Sequence, residues 1–131
     1  MTVLYLDSSA FVKAVVAEPE SPALRRFLRR RRGRRVSSAL LRAEAMRAVR
    51  FLHPDARSQV RLALRRVDLV GIDDQILDQA GLLEPAMVRT LDAIHLATAL
   101  ALGDDLGTVV TYDERVAEGA RLLGLPTSAP G

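Results

Sequence analysis

The chain has 131 residues, 49% of them hydrophobic, which suits one compact domain over residues 1–131 that needs neither disulfide nor structural metal to fold. It has no cysteine, so disulfide frameworks, thiolate zinc sites and cysteine nucleophiles are excluded together, and a reducing, cytoplasmic setting is expected. A formal net charge of +3 understates the asymmetry, because eighteen of the nineteen basic residues are arginine and eight of those fall between Arg25 and Arg35. Guanidinium forks pair with phosphate in two-point geometry, so such a run points to nucleic acid; a solvated helix end would look the same. With only five aromatic residues a base-stacking platform is poorly supported.

In chain order the first apolar run, residues 3–6, reads as a buried strand. It stops at Asp7, too soon for a signal peptide or membrane span, and no membrane association is expected. A helix is predicted over 9–17, then a break at Glu18-Pro19-Glu20-Ser21-Pro22 and a basic helix over 23–31 stopped by Gly33. That helix places Arg25, Arg29 and Arg32 on one side. A short strand at 35–36 leads to Ser37-Ser38 as the N-cap of a helix over 39–52, and His53-Pro54-Asp55 opens the next, to about 66. A strand at 67–72 follows, then a helix over 75–83 capped by Asp73 and another over 91–102 capped by Thr90 and ending at Gly103. The last predicted strand is 108–111 and the last helix 114–123, closed by Gly124, with a loose tail over 126–131. This alternation implies a three-layer α/β/α fold around a mostly parallel central sheet.

Four acids stand out against that frame: Asp7 and Asp113 just beyond strands, Glu44 in the third helix and Asp92 opening a late one. Carboxyl ends of parallel strands are where α/β sheets build their sites. Clustered carboxylates repel and raise one another's pKa, so a group of them implies a bound cation, and all-oxygen ligands point to Mg²⁺ or Mn²⁺. Each acid also has an ordinary structural reading. Asp7 could cap the first helix, although Ser8 and Ser9 are available for that; Glu44 could pair with Arg47 one turn on; Asp92 sits where a helix dipole favours any acid; Asp113 could cap the last helix. His95, three residues after Asp92, reads as a packed or hydrogen-bonded core histidine.

Leu6-Asp7-Ser8-Ser9-Ala10, Glu44, the run Leu91-Asp92-Ala93-Ile94-His95-Leu96-Ala97-Thr98-Ala99 and Val110-Thr111-Tyr112-Asp113 together resemble PIN-domain nucleases, and among them VapC-type toxins of toxin–antitoxin pairs. The resemblance covers nearly the whole chain in order and spacing. It implies a PIN-like fold and a metal-binding, catalytic set of Asp7, Glu44, Asp92 and Asp113, with Ser9 and Thr111 as hydroxyls that orient the ligands. It also implies one or two Mg²⁺ or Mn²⁺ ions, an RNA substrate cleaved to a 5′-phosphate and a 3′-hydroxyl, a small antitoxin partner and a homodimer. For the dimer, helices 39–52 and 91–102 carry more apolar arc than one sheet face covers. A phosphotransferase with a nucleophilic aspartate would want a second acid where Ser9 stands, and a phospho-receiver domain a lysine late in the chain, whereas the only lysine is Lys13. A non-catalytic PIN-like module that binds RNA or a partner, and a housekeeping PIN nuclease, stay open.

Overall fold

A computed structural model describes residues 2–84 and 88–131. The sheet has five strands, all parallel, in the order β3-β2-β1-β4-β5: β1 Val3–Leu6, β2 Arg35–Ser38, β3 Asp68–Val70, β4 Leu106–Val110 and β5 Thr127–Ser128. Among the described residues seven α-helices surround it: α1 Ser8–Val15, α2 Ser21–Arg30, α3 Leu41–Val49, α4 Pro54–Leu64, α5 Asp74–Leu82, α6 Thr90–Ala101 and α7 Glu114–Leu122. None of the described helices is long and apolar enough to cross a membrane.

β1 is buried along its whole length, as a central parallel strand covered on both faces must be. Its side chains alternate between the two sides. Leu4 and Leu6 pack with Ala10 of α1 and with Leu24 and Leu28 of α2, whereas Val3 and Tyr5 pack with Leu96 and Ala99 of α6 and with Val116 and Ala120 of α7. A further apolar cluster joins Phe11 of α1 to Leu41, Ala45 and Val49 of α3 and to Ala56 and Val60 of α4. The chain winds outward from β1 to β2 and β3, then crosses back through α5 and α6 to lay β4 on the other side of β1. That reversal opens a crevice at the carboxyl ends of β1 and β4, the place where open α/β sheets hold ligands.

Several expectations are revised. The tail predicted to be loose forms β5: the Val109 and Thr111 amides donate to Pro126 and Ser128 carbonyls, and the Tyr112 hydroxyl ties down Pro130. Two residues of pairing are too short a run to carry a period-2 signal. Ser37 and Ser38 belong to β2, and α3 begins only at Leu41, although the Ser38 hydroxyl still accepts from the Leu40 amide at 3.1 Å. Thr90 is the first residue of α6, and among the described residues no side chain caps that helix. α2 ends at Arg30, so Arg32 lies outside it and shares no helical stripe with Arg25 and Arg29; Arg25 is half-buried, its Nε donating to the Ala14 carbonyl at 3.1 Å. Gly33 does not stop the helix, which closes three residues earlier. A Cβ there would clash with the Thr2 carbonyl oxygen, so the position needs glycine for close approach of the segment leading into β1 to the segment entering β2. Gly103 and Gly124, at φ 56° and 77°, do stand in the left-handed region beyond the ends of α6 and α7.

Candidate active site

The site grows from the end of β1. Asp7 is the residue after the strand and the N-cap of α1, its Oδ1 accepting from the Ala10 amide at 3.0 Å and from the Ser9 hydroxyl at 2.7 Å. Its Oδ2 accepts from the Thr111 hydroxyl, just past β4, across the β1–β4 crevice. Ser9 and Thr111 are themselves fixed: the Tyr112 amide donates to Ser9 Oγ at 2.9 Å and the Asp113 amide to Thr111 Oγ1 at 3.0 Å. The cap and the cluster are therefore one structure, and Asp7, not Ser8 or Ser9, is the capping residue. Only 2% of Asp7 is exposed, and burial pushes its carboxyl above the usual carboxylate range in spite of those donors.

Asp92 comes to the same end of the sheet on the first turn of α6, where the helix N-terminus favours negative charge. Asp113 caps α7, accepting from the Arg115 amide at 2.8 Å, so its structural reading also holds. Between them lies Arg89, 3.2 Å from Oδ2 of Asp92 and 3.6 Å from Oδ2 of Asp113. Glu44 does not pair with Arg47. Its Oε1 meets Nε2 of His95 at 2.6 Å, and the other ring nitrogen of His95 meets the Tyr5 hydroxyl at 2.7 Å. His95 is the buried, hydrogen-bonded core histidine the sequence suggested, but its partner is a candidate site residue.

Glu44 and Asp113 line one open cleft together with Ser8, Ser9 and Lys13, whereas the buried Asp7 and Asp92 are not in its lining. Lys13 is held by Glu18 at 3.0 Å and Glu20 at 3.1 Å. A second cavity, of about 610 Å³ between α1 and α4, contains none of the four acids. Among the described residues no three acidic or imidazole side chains stand as a closed ligand set. Glu44 is turned to His95 by one oxygen, and Asp92 to Arg89 by one. The donor chemistry nonetheless fits a hard divalent cation, since every candidate ligand is a carboxylate or hydroxyl oxygen and the one imidazole has both nitrogens engaged.

Sequence reasoning missed Arg89 and the link from Glu44 to His95. Arg89 carried a usable signal, an i,i+3 pairing with Asp92 at a helix start. The Glu44–His95 contact joins residues 51 apart on two helices and leaves no trace in local pattern.

The PIN domain family model matches residues 4–122, and the chain belongs to that family, whose nucleases are metal-dependent. Along its length it is 55% identical over 130 residues to Ribonuclease VapC46 of Mycobacterium tuberculosis, covering 99% of both chains. It is 41% identical over 132 residues to Ribonuclease VapC35 of the same organism, with 98% of both covered. Its fold superposes on crystalline VapC20 of M. tuberculosis, a sarcin–ricin loop cleaving toxin, with TM-score 0.76 at 14% identity, covering 97% of this chain and 99% of that one.

Proposed function

We propose that this protein is a metal-dependent endoribonuclease, the toxin of a toxin–antitoxin pair, and that Asp7, Glu44, Asp92 and Asp113 hold Mg²⁺ or Mn²⁺ at the mouth of the β1–β4 crevice. One observation supports the reading: Glu44 and Asp113 line a single cleft, and Arg89 links Asp113 to Asp92, in a chain 55% identical to a ribonuclease over its whole length.

A divalent ion bound there supplies the charge that lowers the pKa of a water and steadies the phosphate oxygens of a scissile bond. The protein's part is placement. Ser9 and Thr111 fix the rotamer of Asp7 from both sides, so that a buried carboxylate keeps one orientation whatever ligand arrives. Glu44 and Asp113 present their carboxylates from the walls of an open cleft, which leaves room for an extended phosphodiester strand. Among the described residues, Oε2 of Glu44 and Oδ1 of Asp92 have no hydrogen-bond partner and remain free to ligate. No side-chain nucleophile is required. Arg89 supplies positive charge to Asp92 and Asp113 and stands where it can meet substrate phosphate.

The partners proposed are an RNA substrate, a small cognate antitoxin and a second copy of the chain. For the dimer, the middle of α6 offers no surface, since its residues 92–99 are all buried within the chain; the exposed apolar residues Phe51, Leu52 and Leu62, around the ends of α3 and α4, are the better candidates. In an assay with Mg²⁺ and structured RNA, wild type should cleave and Asp7→Asn and Asp92→Asn should not. Cleavage at wild-type rate by either variant would remove the acid cluster from the reaction.

A further inference from the structure

His95 is 2% exposed, in the middle of α6, where residues 92–99 are all buried. A histidine in such a place needs a partner for each ring nitrogen, and this one has two of unlike character. An ionised carboxylate can only accept, so the short 2.6 Å contact to Glu44 requires a proton on Nε2. In the neutral ring Nδ1 is then an acceptor, and the Tyr5 hydroxyl 2.7 Å away is placed to donate to it. The donors run in one direction, from Tyr5 on the central strand through His95 on α6 to Glu44 on α3. Ring packing reinforces the pose, Tyr5 and His95 meeting edge to face with centroids 5.8 Å apart and planes at 78°. Both ring nitrogens are satisfied, and no buried side-chain polar atom among the described residues lacks a partner.

A glutamate on the rim of an open cleft has three free torsions and would sweep a wide arc if nothing held it. Here one oxygen is pinned from the core, which leaves the other to face the cleft that Glu44 lines with Ser9 and Asp113. We infer that His95 is a positioning residue of the acidic site, aiming Glu44 at the cation through Nε2, with Tyr5 holding the ring in place through Nδ1. The inference rests on the reading of Glu44 as a metal ligand. It explains why an imidazole stands at the buried centre of α6, which core packing alone does not.

Mn²⁺ binding measured by calorimetry on the RNA-free protein tests it, with the thermal midpoint recorded for each variant. Glu44→Gln should weaken Mn²⁺ binding. His95→Phe, which fills the space with no donor, should weaken it roughly tenfold or more, the usual penalty for losing a group that orients a ligand. His95→Gln, whose amide can still donate to Glu44, should recover most of that loss even if its melting point is no higher than that of His95→Phe. A purely structural histidine would lower the midpoint without this split. Wild-type Mn²⁺ affinity in His95→Phe, alongside weakened binding in Glu44→Gln, would overturn the positioning role alone. Unchanged binding in Glu44→Gln would overturn the ligand reading and the inference with it. If His95→Phe does not fold, Tyr5→Phe decides on the same readout: a smaller loss supports the relay and wild-type affinity overturns it.

Discussion

At Asp7 two demands meet in one side chain. As the cap of α1 and acceptor for Ser9 and Thr111 it has a structural role that asparagine can also fill, with its amide oxygen toward Ala10 and its NH₂ donating to Thr111. As an ion it is disfavoured by burial, and its raised pKa means that the ionised form costs the fold stability at neutral pH. Asp7→Asn should therefore melt at or above the wild-type temperature in EDTA while losing cleavage; a midpoint several degrees lower would show that the charge itself holds the fold. Tyr5 gives the matching statement at high pH. Burial raises its pKa well above that of an unfolded tyrosine, about 10, so its contribution is complete below pH 10 and declines as pH rises further. In a chain with two tyrosines and one lysine, Tyr5→Phe should visibly flatten the alkaline loss of stability seen in a pH series of melts. An alkaline limb as steep as that of the wild type would contradict it.

Elements were readable where hydrophobic period and punctuation agree. The run Val3-Leu4-Tyr5-Leu6 ends at an acid, Pro54 opens α4 and Gly124 follows α7, and each boundary fell within a residue or two of where those signals place it. What stayed hidden was decided between elements. β5 exists because β4 presents an open edge to the tail, and Gly33 is required by the Thr2 carbonyl just before β1 rather than by the helix before it. For the same reason the four acids could be proposed singly, from strand ends and helix starts, whereas the ties of Arg89 to Asp113 and of His95 to Glu44 form only once α6 is laid beside α3 and the loop after β4. Gly33→Ala must push β1 and the entry to β2 apart, and should cost roughly 1–3 kcal/mol in denaturant unfolding, the range for overpacking a tight contact. A change within about 0.5 kcal/mol would mean that the neighbouring backbone gives way freely.

Across the whole molecule, charge is divided between an acidic crevice and a basic surface. Arg26, Arg29 and Arg30 on α2, followed by Arg31 and Arg32, are exposed, and α2 is anchored independently by Leu24 and Leu28. Changing Arg26, Arg29 and Arg30 together to glutamine should leave the melting temperature nearly unchanged. It should also flatten the salt dependence of RNA binding by about 0.7 in log–log slope for each phosphate that is no longer neutralised. An unaltered slope would make that face a solvated helix end and leave RNA to the cleft alone. The most direct test of the acidic crevice itself is removal and return of the cation. RNA cleavage by the wild-type protein should cease in excess EDTA and return when Mg²⁺ or Mn²⁺ is added beyond the chelator, with the protein folded throughout by circular dichroism. Cleavage that continues at full rate in EDTA would show that the four carboxylates do not work through a metal ion.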